Sequence, residues 1–234
     1  MNNDIRNKAI LKTAGTAVFA MMFCIGCYDL GIEPSVKAPI ITTFVDIRDG
    51  KTYKKEQIGD QIWMAENLNF AADGSVCYDS SDRNCEIYGR LYDWNTAMGG
   101  ESGSNSVPSG VEGVCPVGWH LPSNAEWKAL IYYVGINAGT KLKSNRFRGQ
   151  SELQRPDGTD IYNFSALPSG VGMHYDNKTD FYNMGAVGSW WSATELESDA
   201  DMAWVLSLIH DDTGARRFWQ DKHIMMLSVR CVHD

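Results

Sequence analysis

The six cysteines of this 234-residue chain, at positions 24, 27, 77, 85, 115 and 231, limit its chemistry more tightly than any other residue type. Arg6, Lys8 and Lys12 precede a mostly apolar run from Thr13 to Gly26, which closes as Cys24-Ile25-Gly26-Cys27. A basic start, a short apolar stretch and a small residue at the end form the layout of an export signal. The run is 14 residues long, short of the roughly 18 to 20 that cross a bilayer as a helix. Gly26-Cys27 resembles a bacterial lipobox. That resemblance implies cleavage before Cys27, a diacylglycerol on its thiol and a further acyl chain on the new amine, and several chains anchor stably where one is marginal. Tyr28 rather than Asp follows the cysteine, which favours an outer-membrane lipoprotein, facing the periplasm or exposed at the surface.

Export changes how the other thiols read, because an oxidising compartment favours disulfides. Cys77, Cys85, Cys115 and Cys231 then remain, an even number for which three complete pairings are open. In the simplest, Cys77 and Cys85 staple the polar turn-rich stretch Tyr78 to Asn84, and Cys115 closes onto Cys231 near the end of the chain. A metal reading has little support, since no close cysteine pair stands beside another and His120, His174, His210, His223 and His233 are scattered.

Binding chemistry is suggested by aromatic residues. Trp190, Trp191 and Trp219 are candidates to stack on sugar C–H faces, with Asn177, Asp211 and Asp212 to satisfy hydroxyls. With Asp176, Asp180, Asp199 and Asp201, the last three are also candidate calcium ligands by composition, although solvated turns are rich in the same residues. Glu66, Glu126 and Glu195 are the carboxylates for a glycoside-cleaving pair, but sequence sets no separation between them. No Ser-His-Asp arrangement, nucleophile elbow or phosphate loop is present.

Charge excludes one class of partner. Acidic residues number 29 against 21 basic, a formal −8, and removal of residues 1–26 with Arg6, Lys8, Lys12 and Asp4 takes this to −10. Nucleic acid needs clustered cations and is not expected. Hydrophobic residues at 44% and charged residues at 21% suit a globular domain.

The elements that must position these groups can be read in turn. Residues 1–26 form the lipoprotein signal peptide, and 27–43, with Gly31, Pro34 and Pro39, a tether. The single domain runs over 44–234. Tyr53 to Ile58, a Gly59-Asp60 turn and Gln61 to Met64 read as a hairpin. Leu91, Trp94 and Met98 share one face of a two-turn helix, and Gly99 to Gly113 reads as a loop. Ser123 and Glu126 form a capping box ahead of Trp127, Leu130, Ile131 and Val134, so a core-facing helix is predicted, with Gly135 its stop. Trp119, just before it, reads as packing at the helix entry. Trp204 to Leu208 and Arg216 to Gln220 are strand-like, and alternating Met225, Leu227, Val229 and Cys231 form one apolar face of a final strand. Antiparallel pairs with few helices indicate an α+β fold.

Several blocks carry a family resemblance. Ile58-Gly59-Asp60-Gln61-Ile62-Trp63-Met64-Ala65-Glu66-Asn67-Leu68, Tyr88-Gly89-Arg90-Leu91-Tyr92-Asp93-Trp94, Cys115-Pro116-Val117-Gly118-Trp119-His120-Leu121-Pro122-Ser123, Trp190-Trp191-Ser192-Ala193-Thr194-Glu195 and Ser228-Val229-Arg230-Cys231 occur in order. They resemble the major paralogous domain named after Fibrobacter succinogenes, over about Thr52 to Asp234. That resemblance implies exported proteins of fibre-degrading and gut bacteria and no established reaction. The helix entry and the final block also look like the formylglycine-generating superfamily. Its core implies a C-type-lectin-like twisted antiparallel sheet with flanking helices and long loops. The oxidative chemistry of its enzyme branch is not expected here, because Cys115 and Cys231 read as a bridge. Lectin Glu-Pro-Asn and Trp-Asn-Asp motifs are absent. The expectation is a lipid-anchored, non-catalytic envelope protein that contacts the membrane through Cys27 and binds a polysaccharide such as plant fibre. A protein-recognition or structural envelope module is the alternative, and a carbohydrate-active hydrolase the third reading.

Overall fold

The β-branched and aromatic run Thr42-Thr43-Phe44-Val45 forms the first strand of the computed structural model. The structure describes residues 42–147, 158–176 and 178–234. The signal peptide, Cys27 and nearly all of the tether lie outside the described residues, as does Asn177.

One sheet joins the two ends of the domain. Its strands β1 (Thr42–Val45), β2 (Thr52–Ile58), β3 (Gln61–Met64), β12 (Val232–His233) and β5 (Trp119–His120) are paired in that order. The hairpin of β2 and β3 turns at Gly59, whose φ of +65° suits glycine. Cys231 is bonded to Cys115, and Val232 pairs with both Trp63 and His120, so the last strand is stapled into the sheet between β3 and β5.

The second sheet runs β10 (Arg216–Asp221), β9 (Asp199–Ile209), β8 (Val187–Leu196), β11 (Met225–Ser228), β6 (Val171–Tyr175) and β7 (Lys178–Tyr182), with β4 (Leu91–Tyr92) also on β11. Pairing is antiparallel except where Ser228 of β11 meets Trp190 of β8 in parallel. Four α-helices accompany the sheets among the described residues: α1 (Asp82–Tyr88), α2 (Trp94–Met98), α3 (Asn124–Val134) and α4 (Ala138–Leu142). The fold is thus α+β and rich in sheet.

Helix α3 forms where the capping box predicts it. Ser123 Oγ accepts from the Glu126 amide, and Glu126 Oε2 accepts from the Ser123 amide. Its Trp127, Leu130 and Val134 pack with Trp190, Leu206 and Leu208 on one face of β8 and β9. Trp191, Ala193, Ala203 and Val205 point the other way, into a second core with Tyr92, Trp94 and Met98. Trp119 joins this second core, its ring 4.2 Å from that of Phe44, rather than packing at the helix entry.

Three expectations need correction. The helix read over Leu91 to Met98 is shorter: Leu91 and Tyr92 are claimed by β11, and Asp93 then caps α2 by accepting from the Thr96 amide. The stretch closed by the Cys77–Cys85 bridge is not only a polar loop, because Asp82 starts α1 inside it. The final strand is not one-sided. It breaks after Ser228, and Met226, Ser228 and Arg230 are as buried as Met225, Leu227 and Val229. Arg230 is tolerated inside because it donates to Asn67 Oδ1 at 2.7 Å and to the Phe164 carbonyl, while its guanidinium lies 4.2 Å from the Phe164 ring centre.

Candidate functional site

An irregularity in β8 shapes a surface groove whose one aromatic lining residue is the half-buried Trp204. Trp191 pairs with Val205 and Glu195 with Ala203, so four steps along β8 face two along β9. Such bulges free backbone groups and re-aim side chains. Here the freed groups capture two other segments. The Ala193 amide donates to the Pro122 carbonyl (2.9 Å), and the Ala193 carbonyl accepts from the Ser104 amide (2.8 Å). Thr194 Oγ1 donates to the Ser104 carbonyl (2.7 Å) and accepts from the Asn124 amide (2.9 Å), while Asn105 Oδ1 accepts from the Ala125 amide (3.0 Å). The start of α3 and the 103–105 loop are thereby fixed against the tip of the β8–β9 hairpin. Gly103 makes the close approach feasible, since a Cβ there would lie 3.1 Å from the Glu195 side chain.

The result is an open groove of about 570 Å³ lined by Asn105, Thr194, Glu195, Leu196, Glu197, Ser198 and Trp204. Trp204 pairs across the strands with Trp219, and their rings stand 5.7 Å apart at 81°. Edge-to-face geometry of this kind holds one indole steady while leaving a face of the other free. Trp219 is 51% exposed. The Arg217 guanidinium lies 5.9 Å from the Trp204 ring and donates to Asn124 Oδ1 at 2.6 Å, tying the aromatic corner to the helix start.

Of the aromatic candidates only Trp219 is at this surface. Trp190 and Trp191 are both wholly buried, so neither can stack on a ligand. Their indole nitrogens are spent inside, Trp190 donating to Asn67 Oδ1 and Trp191 to the Tyr92 carbonyl, each at 2.8 Å. Adjacent strand residues face opposite ways, and here both faces of β8 are covered. Asp211 and Asp212 are also displaced from the site. They sit in the β9–β10 turn, and Trp219 is three residues from Arg216, about 10 Å along the strand, before that turn begins. Asp212 accepts from Arg216 and from the Gly214 amide, and these bonds, the Arg216 one first, hold its carboxyl below the ordinary range.

The other carboxylates are engaged separately. Glu195 pairs with Lys222 at 2.5 Å, and the Lys222 ammonium lies 4.4 Å from the Trp94 ring centre. Glu66 accepts from the Lys54 amide, and Glu126 is held at the α3 cap. They do not form a pair. Among the described residues no three His, Cys, Asp or Glu side chains gather as a metal site; Asp180 meets Lys178 and Tyr175, and Asp201 meets His223. Nor is any described helix long and apolar enough to cross a membrane.

A polar clamp backs the groove. His120, only 2% exposed, places Nδ1 2.7 Å from Asp234 Oδ1 and Nε2 2.8 Å from Glu126 Oε1. Desolvation alone would lower its pKa, but the bonds and charges of Glu126 and Asp234 outweigh it and raise the value above 6.5. Glu126 also accepts from the Ser109 amide at 3.2 Å, so the clamp reaches the loop that carries Asn105.

Trp204, Asn105 and Thr194 were not singled out by sequence. Thr194 lies in a quoted block, and Trp204 heads a strand-like run; only the pairing of Trp204 with Trp219 would have joined them. The family model for the Fibrobacter succinogenes major domain matches residues 57–233. No curated protein matches the chain, and neither does any solved structure. With about three quarters of its length matched, the chain belongs to the Fibrobacter succinogenes major domain family.

Proposed function

From membership of that family, we propose that this chain is a lipid-anchored, non-catalytic binding protein of the bacterial envelope that holds a glycan in the groove beside Trp219. The carrying observation is the exposed Trp219 indole, set nearly at a right angle to Trp204, which lines the neighbouring polar groove. One sugar ring stacks its C–H face on Trp219, and its neighbour sets hydroxyls against the Asn105 amide and the Glu197 carboxylate. The Glu197 carboxylate disfavours polyuronates, so the expected ligand is a neutral polysaccharide. A C-type-lectin-like core draws support from the first and last strands of the domain joining in one sheet through β1–β2–β3–β12. The outer-membrane location and the lipid on Cys27 rest on the sequence motif.

A pull-down over a panel of insoluble and soluble polysaccharides, scored beside envelope proteins, tests the reading with wild type and Trp219→Ala. Retention on a neutral glycan that Trp219→Ala loses supports it. Saturable capture of one protein, with no glycan retained, replaces it by the protein-recognition alternative.

A further inference from the structure

The groove lies at the start of α3, and the other end of that helix carries a different surface. Tyr132 is 88% exposed and Ile136 84%, and Tyr133 and Ile161 are also mostly exposed. The Tyr133 ring packs edge-on to Tyr162, 6.1 Å between centres, which braces Tyr133 and brings the 161–162 segment beside it. Exposed apolar residues clustered in this way mark an interaction surface.

The path of the chain indicates what covers it. Strand β1 pairs with β2 so that Thr42 lies opposite Lys55, three residues or about 10 Å short of Ile58. The next residue, Gly59, rests against Tyr133, and a Cβ there would be 3.0 Å from the ring. The chain therefore enters the described domain at the end of α3 that carries the patch. Cys27 precedes Thr42 by 15 residues, a tether of about 50 Å at full stretch and about 20 Å on average. A lipid on Cys27 keeps that end close to a bilayer. Tyrosine with isoleucine suits the headgroup boundary, where aromatic side chains concentrate. Charges near the patch are of both signs, with Lys128 exposed on α3 and Asp60 on the β2–β3 turn, so anionic lipid is not required.

We propose that the surface formed by Tyr132, Tyr133, Ile136 and Ile161 seats the domain on a zwitterionic bilayer, with the Trp219 groove turned away from the membrane. Helix α3 has 11 residues, a separation of about 16 Å between its ends. This inference rests on the lipid-anchored half of the reading above and is independent of the glycan half.

Hydroxyl-radical footprinting by mass spectrometry tests it on the lipidated protein in phosphatidylcholine vesicles, against the unlipidated mature chain carrying Cys27→Ser in solution. The expected result is at least fivefold protection of Tyr132 and Tyr133 with Trp219 unchanged. Lipidated Tyr132→Ser/Ile136→Ser should lose the protection that remains at Tyr133. No protection on a protein whose intact mass shows the lipid overturns the proposal and leaves the anchor standing. Equal protection of Trp219 overturns the orientation. Protection that appears without vesicles and rises with protein concentration assigns the patch to a second copy and also overturns it. If the mass shows no lipid, the anchor fails; the unlipidated chain must then show the same protection at high vesicle concentration, or the patch proposal falls with it.

Discussion

Replacing His120 by Gln separates electrostatic from packing contributions at the clamp behind the groove. In the native protein both ring nitrogens meet carboxylate oxygens, at 2.7 and 2.8 Å, with the imidazole 2% exposed. The Glu126 partner is 1% exposed and the Asp234 partner 57%. Breaking a buried charge pair costs about 3 to 5 kcal/mol. Glu126 keeps its bonds from the Ser109 and Ser123 amides and from Gln61 Nε2, so the lower end, about 3 kcal/mol, is expected. The half-exposed Asp234 contact is screened and adds about 0 to 1 kcal/mol, which Asp234→Asn reads separately. The pH dependence has a definite sign. The pKa of folded His120 lies above its unfolded value of 6.5. Its stabilisation is therefore fully present below pH 6.5 and is lost as pH rises through the folded value. Urea unfolding of wild type and His120→Gln at steps from pH 5.5 to 9 should give a stability difference that is largest at the acid end and shrinks upward. A difference that stays constant or grows with pH would refute the assignment of an imidazolium held by two carboxylates.

Other outcomes follow from the same structure. Trp219 exposes about half of an indole that offers roughly 250 Å²; covering that part is worth about 3 kcal/mol, so Trp219→Ala should weaken glycan binding about 100-fold by calorimetry, and because the other half already packs in the fold against Trp204 it should also lower stability by about 1 to 3 kcal/mol. Trp190→Ala should cost about 3 to 5 kcal/mol of stability in denaturant titrations because it empties a buried site. Opening the Cys115–Cys231 bridge, whose partners are 116 residues apart, should cost about 5 kcal/mol against about 2.5 kcal/mol for Cys77–Cys85 at a separation of 8, measured as the Cys→Ser pairs. Thr194→Val removes the hydroxyl that joins Ser104 to Asn124 and should lower stability by about 1 to 3 kcal/mol in urea; glycan affinity should fall with it as the groove wall loosens.

What could be read in advance depended on whether the deciding interaction was local. The capping box of α3 and the β2–β3 hairpin lie within a few residues of their own signals, and both stand where Ser123, Glu126 and Gly59 place them. The cysteine parity worked for a different reason, since four thiols allow only three complete pairings and the 77–85 staple takes the nearest two. The family blocks succeeded because they record the sheet-forming segments in order. The aromatic candidates depended on distant neighbours. Trp190 and Trp191 necessarily face opposite ways, but whether either face is open depends on α3, about 60 residues earlier, and on Tyr92 and Trp94, about 100 residues earlier. The continuous apolar run Ala203 to Leu206 is the one local hint that this sheet is covered on both sides. By the same reasoning Trp204 and Trp219 become a site because β10 is an edge strand and α3 starts only at Asn124, leaving the corner uncovered there. The bulge that draws Ser104 and Asn124 to Thr194 is invisible in residue types, because it arises from a two-residue mismatch between β8 and β9 that only their pairing defines. A groove built this way owes its shape to backbone groups and its specificity to a few side chains. Substitutions at Glu197 should therefore alter what is bound without disturbing the fold, whereas changes at Thr194 or Asn124 should disturb both.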